Sequence, residues 1–290
     1  MSIQSFLLPT DGSEPADAAA KRGVELAAQL EATVHVLSVV DSSLIASADQ
    51  TDEPNRIRNR LREYATEQAE TVGRTASEGD LEVTTATREG VPAEEIVDYA
   101  DERDVDAIVM GTSGRGGVSR AVLGSVTDKV VRTATVPVVT VTTAAARDEQ
   151  STTVDDLLVP TDGSVPAESA AQPAIEVAAQ LEATVHFLTV ADTELTSAAP
   201  TVTGIELLGT AGDRLEDLAE TATERGLEVT TTVREGDPAT EIVDYAETEG
   251  IDLIAMGTAG RGGLDRLILG SVTDEVVRTA PVPVVTVRPD

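Results

Sequence analysis

The sequence contains no cysteine and no tryptophan, and only two phenylalanines and three tyrosines. The lack of cysteine excludes disulfides, thiolate nucleophiles and zinc–thiolate centres. The scarcity of rings means that any core must be built from Ala, Val, Leu and Ile, which supply most of the 41% apolar content. Lysine is nearly missing. Lys21 and Lys129 stand among 21 basic residues, against 52 acidic ones, for a formal charge of −31. A surface of that sign repels nucleic acid and anionic membranes, both of which bind through cationic patches. No apolar run approaches the roughly 20 residues that cross a bilayer. The opening MSIQSFLLPTDGS has neither the basic region nor the apolar stretch of a secretion signal. The expectation is a cytoplasmic protein without nucleic-acid or membrane partners.

Acidic residues are spread along the whole chain, and periodic apolar segments run between them, so the charge marks folded domains and not a disordered tail. The surface is that expected of a halophile's protein, where salt screens self-repulsion. The Debye length falls from about 10 Å at 0.1 M to about 3 Å at 1 M. This reading predicts a melting midpoint that rises with KCl; a flat or falling midpoint in a calorimetric series would contradict it.

The chain is written twice. LLPTDGS at Leu7 returns as LVPTDGS at Leu158, AAQLEATVH at Ala27 returns unchanged at Ala178, and EIVDYA at Glu95 returns at Glu241. The offset is 151 residues for the first two and 146 for the third, so the second copy is shorter by about five residues somewhere after Asp192. The polar stretch at 142–153 reads as a linker between domains spanning 1–145 and 146–290. Within the first copy, the runs SFLLP, TVHVLSVV, LEVTTAT, DAIVM and VPVVTV read as five strands alternating with helical segments. That alternation predicts an α/β fold with a parallel sheet flanked by helices in each domain. Ser13 is placed to cap the first helix, with Pro15 in its first turn and Ala20, Val24, Ala27 and Ala28 on its apolar face. The last helix opens at Ser125, with Val126, Val130, Val131 and Ala134 as its packing stripe.

A glycine-rich stretch, GTSGRGGVSRAVLGS, follows the fourth strand from Gly111 to Ser125 and recurs as GTAGRGGLDRLILGS from Gly257 to Ser271. Glycine weakens helices and strands, so its repetition asks for a backbone reason: a positive φ, or close approach of a ligand. A loop of small residues running into a helix N-terminus offers N–H groups and the positive end of the helix dipole to an anion, and phosphate fits. Arg115 and Arg261 can add a charged contact. The competing reading is structural: Ser125 with Asp128, and Ser271 with Asp274, match a capping box in which serine merely caps the helix. Neither GxxxxGK[ST] nor GxGxxG is present.

The spacing G-x2-G-x9-G-[ST], seen as Gly111, Gly114, Gly124, Ser125 and as Gly257, Gly260, Gly270, Ser271, resembles the ATP-binding signature of the universal stress protein family. The likeness extends through PTDGS at the end of the first strand and GSVTDKVVRTATVPVVTV at the close, and covers both copies. It implies two tandem Rossmann-like domains of the adenine nucleotide alpha hydrolase type, each with strand order 3-2-1-4-5, and dimer-like pairing of last strand beside last strand within the chain. Further homo-oligomerisation is compatible with it. ATP, ADP or AMP is the implied ligand, with Mg²⁺ or Mn²⁺ riding on the phosphates and no metal ligands from the protein. In the first copy the resemblance implies nucleotide contacts from Thr10, Asp11, Val39, Met110, Gly111, Gly114, Arg115, Gly124, Ser125, Val126 and Thr127. The second copy offers Thr161, Asp162, Val190, Met256, Gly257, Gly260, Arg261, Gly270, Ser271, Val272 and Thr273. Asp128 and Asp274 depart from the family, where glutamate is usual. Asp11 and Asp162 also have a plain turn role open to them in TDGS.

No general base is evident, so the function expected is a regulatory or stress-protective nucleotide-binding protein with at most weak ATP hydrolysis. A nucleotide-independent interaction module is the alternative. An adenine-nucleotide-processing enzyme is a further one, disfavoured because neither an SGGxDS loop nor a HIGH-type motif is present. His35 and His186 lie mid-strand and are expected to be packed, hydrogen-bonded residues without a catalytic triad around them. The acidic runs DERDVD and ETEGID read as solvated helix ends, not metal ligands.

Overall fold

The computed structural model describes residues 2–112, 123–147, 153–192, 215–258 and 269–288. These form two compact units, Ile3–Ala146 and Arg147–Asp290, the second joined by the first two residues of the chain.

The first unit runs β1 (Ser5–Pro9), α1 (Glu14–Gln29), β2 (Thr33–Asp41), α2 (Ser42–Ala48), α3 (Pro54–Ser77), β3 (Val83–Gly90), α4 (Pro92–Glu102), β4 (Ala107–Gly111), α5 (Ser125–Thr133) and β5 (Val138–Val141). Its strands are parallel in the order β3-β2-β1-β4-β5. β4 and β5 are buried at every position, as strands covered on both faces require, whereas β3 alternates between half-buried and exposed residues at the edge. The third strand extends further than its apolar run suggests, through Arg88, Glu89 and Gly90, which pair with Val39, Val40 and Asp41 of β2. Charged residues are tolerated there because Arg88 pairs with Glu95 and Glu102, and Glu89 with Arg62.

Helices of small residues seal the sheet. α1 buries Ala16, Ala19, Ala20, Gly23, Leu26 and Ala27. Of the expected face, Ala20 and Ala27 are buried, Val24 is half-buried and Ala28 exposed, so the buried face is shifted from the expected one. The cause is packing: Gly23 faces Leu8 and Val109, and a β-carbon there would lie 3.3 Å from Val109 Cβ. α3 lies over β2 and β3 through Ala65, Ala69, Val72, Gly73 and Ala76. α4 and α5 pack together on the other face, burying Ile96 and Tyr99, and Val130 and Val131.

The second unit repeats this as β6 (Asp156–Pro160), α6 (Val165–Leu181), β7 (Thr184–Asp192), helical residues 215–224 (α7), β8 (Val229–Gly236), α8 (Pro238–Thr248), β9 (Leu253–Gly257), α9 (Ser271–Thr279) and β10 (Val284–Val287). Its strand order is β8-β7-β6-β9-β10, the same 3-2-1-4-5. The stretch after Asp192 where the copies differ in length, 193–214, lies outside the described residues. No described helix is long and apolar enough to cross a membrane.

Both histidines are packed as expected. His35 Nδ1 is hydrogen-bonded to the hydroxyl of buried Tyr99 (3.1 Å), and His186 Nδ1 to that of Tyr245 (3.0 Å). Arg88 and Arg234 lie over those tyrosine rings at 4.8 Å. The copies differ at the second ring nitrogen, for His186 Nε2 meets Asp156 Oδ1 at 2.9 Å and Ser5 replaces that aspartate in the first copy. Desolvation by burial, then the Arg103 charge, push the His35 pKa below the ordinary value, with Glu82 opposing. The folded imidazole therefore resists a proton that the unfolded one accepts at about pH 6.5. Above that pH the effect is absent; below it stability is lost as pH falls. His35→Gln, whose amide can still meet Tyr99, is expected to flatten the fall in melting midpoint between pH 7.5 and 5.5, a window in which the chain's two histidines are its only ordinary titrating side chains. An unchanged slope would refute the assignment.

Candidate functional site

Strand order reverses between β1 and β4, so the loops leaving their carboxyl ends diverge to opposite faces and open a crevice between them. On the β1 side the turn Thr10–Ser13 is held by its own side chains. Thr10 N–H donates to Leu37 O of β2 (2.9 Å), Gly12 N–H to Thr10 Oγ1 (3.1 Å) and Ser13 N–H to Asp11 Oδ1 (3.0 Å). Ser13 caps α1 by accepting from Ala16 N–H, as its place in the sequence predicts. Gly12 sits at φ +72°, a left-handed conformation that favours glycine. The second copy reproduces the turn: Gly163 N–H donates to Thr161 Oγ1 (3.1 Å), Ser164 N–H to Asp162 Oδ1 (2.9 Å), and Gly163 has φ +69°. Thr10 and Thr161 are buried in this role, and Asp11 and Asp162 are half-buried. The turn role open to the aspartates is thus filled. Desolvation, then the neighbouring Asp11 charge, raise the Asp17 pKa above its ordinary value.

On the β4 side the long loop is closed at its base. Gly124 N–H donates to Thr112 O (2.7 Å) and Thr127 Oγ1 to Gly111 O (2.7 Å). The second copy shows the same two bonds, Gly270 N–H to Thr258 O (2.9 Å) and Thr273 Oγ1 to Gly257 O (2.9 Å). The buried hydroxyls of Thr127 and Thr273 therefore act as latches between strand end and helix start. The N-cap positions belong to Gly124 and Gly270, and no side-chain hydrogen bond caps either helix. The capping box does not form: Ser125 and Ser271 are the first helical residues, exposed, and Asp128 and Asp274 pair with Arg132 and Arg278 (2.8 Å each). What remains is a helix N-terminus without a side-chain cap, at the carboxyl end of the fourth strand.

The glycines have different physical reasons. Gly124 and Gly270 lie at φ −62° and −60°, so the positive φ expected of such a loop does not apply to them. Gly111 is required by packing, because a β-carbon there would lie 2.6 Å from Pro15 O and 2.9 Å from Pro15 C in the first turn of α1. Val39 and Val190 are half-buried near the carboxyl ends of β2 and β7, with Val39 two residues beyond Leu37, the partner of Pro9. Met110 and Met256 are buried one residue before the strand-end glycines. Val126 and Val272 are half-buried in the first helical turns. Gly114, Arg115, Gly260 and Arg261 lie outside the described residues. Sequence reasoning overlooked Thr112 and Thr258, whose contribution is a backbone carbonyl. It also overlooked Tyr64 and Gln68 of α3, which stand against Gly12; a rare tyrosine on a charged helix was the available signal. Among the described residues no group of three or more His, Asp or Glu is placed to hold a metal.

Residues 2–142 and 153–288 each match the sequence profile of the Universal stress protein family. Universal stress protein MJ0531 of Methanocaldococcus jannaschii is 36% identical over 138 residues, covering 48% of this chain and 81% of that protein. Universal stress protein Rv2005c of Mycobacterium tuberculosis is 29% identical over 298 residues, covering 96% of this chain and 95% of the relative, so the tandem arrangement is shared. The crystal structure of a universal stress protein from Archaeoglobus fulgidus superposes with a TM-score of 0.74 at 22% identity, over 99% of this chain and 98% of that one. The chain belongs to the universal stress protein family, with two copies of its domain in tandem.

Proposed function

We propose that each copy binds an adenine nucleotide across the ends of its first and fourth strands, and that occupancy serves a regulatory, stress-protective role and not turnover. The observation that carries this reading is the duplicated closure of the glycine loop. In both copies it delivers a side-chain-free N-cap and an uncapped helix N-terminus to the crevice. The base is proposed to lie beside Asp11 and Val39, as the family resemblance implies, and the phosphates at Gly124–Thr127, where the uncapped helix N-terminus favours an anion. A helix dipole contributes at most about 2 kcal/mol to an anion. On a chain of charge −31 that does not hold a polyphosphate alone. Arg115 and Arg261 supply the charge-assisted contacts, and Mg²⁺ or Mn²⁺ travels with the phosphates. The same balance accounts for a halophilic, cytoplasmic setting, where salt screens the repulsion between protein and ligand. With no general base at the described site, hydrolysis is at most slow.

Pairing of the two copies belongs to the same proposal. VPVVTV closes both domains, and β5 and β10, buried throughout, would each be an apolar edge if left open.

The test is to purify the chain in high salt, denature it and chromatograph what is released. Adenine nucleotide is expected. The probes for titration are ATP, ADP, AMP and cAMP, the last because a universal stress protein of solved structure is in complex with it. No released nucleotide and no heat of binding with Mg²⁺ present would favour the interaction-module reading instead.

A further inference from the structure

Gly12 is crowded as well as left-handed. A β-carbon on it would run into the Gln68 side chain and lie 2.6 Å from the Tyr64 hydroxyl. Both residues belong to α3, one turn apart on one face. α3 runs antiparallel to β3: Arg62 pairs with Glu89, Thr66 Oγ1 meets Thr87 Oγ1 (3.2 Å), and Gly73 packs on Thr85. Since β3 ends at Gly90, the helix from Pro54 to Arg62 stands beyond the strand ends by about 12 Å. It is braced there by α2, through Arg58 and Asp49 (2.7 Å). The first crevice thus has a wall on its β1 side, and the side chains that the wall presents at the turn are a phenol ring, 40% exposed, and a half-buried carboxamide.

The second copy keeps the turn but not these two residues of the sequence. At the 146-residue offset that relates Val72 to Leu218 and Val83 to Val229, the positions of Tyr64 and Gln68 are occupied in sequence by Thr210 and Arg214. A tyrosine ring offers a stacking surface to a base, and a carboxamide offers one donor and one acceptor. That pair matches adenine, which presents a donor N6–H beside the acceptor N7. Guanine presents two acceptors, O6 and N7, and leaves the carboxamide oxygen opposed by another oxygen. Threonine and arginine supply neither the ring nor the mixed pair.

Building on the nucleotide-binding reading, we infer that Tyr64 and Gln68 are specificity-determining residues of the first site, selecting adenine over guanine there, and that the two sites of the chain differ in base selectivity. The experiment uses the full chain with one site removed at a time. Gly270→Val leaves the first site and Gly124→Val leaves the second, and each is titrated with ATP and with GTP in high salt with Mg²⁺. The first site is expected to prefer ATP by about tenfold or more. Gln68→Leu, which preserves helix propensity and size, is expected to collapse that preference chiefly by weakening ATP. Tyr64→Leu is expected to weaken both nucleotides at the first site by about tenfold. Neither substitution is expected to change affinity at the second site or the melting midpoint. A first-site preference untouched by Gln68→Leu overturns the inference while leaving the nucleotide-binding reading intact, as does equal weakening at both sites. Absence of binding to any nucleotide in the wild-type chain overturns both.

Discussion

Replacing Gly124 and Gly270 by valine is expected to remove adenine-nucleotide binding one site at a time: about two sites in the wild-type chain, one in each single variant and none in the double variant. The φ values of these glycines, −62° and −60°, with ψ near 144° and 143°, are open to any residue, so valine imposes no backbone strain. As N-caps they contribute no side-chain bond that valine would remove. The cost in stability is on the order of 1 kcal/mol against the 5–15 kcal/mol of a folded domain. What valine adds is a branched β-carbon where the phosphate must approach the backbone. Calorimetric titration with ATP and Mg²⁺ at high salt reads the stoichiometry directly. A double variant that still binds two nucleotides, or a wild type that binds none, would overturn the site assignment.

Gly111→Ala is expected to act in the opposite way, through stability first. The added carbon meets backbone atoms, Pro15 O at 2.6 Å and Pro15 C at 2.9 Å, and neither moves unless the first turn of α1 moves with it. Overpacking of this kind costs about 1–3 kcal/mol, which lowers the midpoint of a domain of this size by roughly 3–10 °C. Scanning calorimetry is the suitable readout in a chain without tryptophan. Because the Pro15 turn also carries Ser13 and the Asp11 turn, first-site affinity falls too, while the second site is unaffected. A midpoint within about 1 °C of the wild type would show that α1 yields without cost. Two glycines of one signature are thus expected to separate by measurement, Gly111 acting through the fold and Gly124 through the proposed ligand.

The placement of the helices was only partly legible. The apolar residues of α1 repeat at helical spacing around most of its circumference, because alanine is abundant there; sequence periodicity pointed to Ala20, Val24, Ala27 and Ala28, and with Gly23 against Leu8 and Val109 only Ala20 and Ala27 of these are fully buried. The capping box at Ser125 satisfied every local rule and still did not form. Asp128 had Arg132 one turn away, and Gly124 N–H was drawn to Thr112 O across the loop. Tyr64 carried only the weak signal of a rare ring on a charged helix and Gln68 carried none, because their place depends on Gly12, some 50 residues earlier in the chain.

By itself, then, the sequence determined the duplication, the alternation of strands and helices, the acidic surface and the glycine signature, since each is written in local composition, period or self-similarity. The tertiary structure decided that Gly111 is needed for packing, which threonine hydroxyls latch the loop, and which helix stands against Gly12. Those are long-range contacts: Gly111 with Pro15, Thr127 with Gly111, Gly12 with α3. A parallel sheet makes such contacts by bringing the ends of strands distant in sequence side by side, and no local pattern encodes which neighbours they will meet.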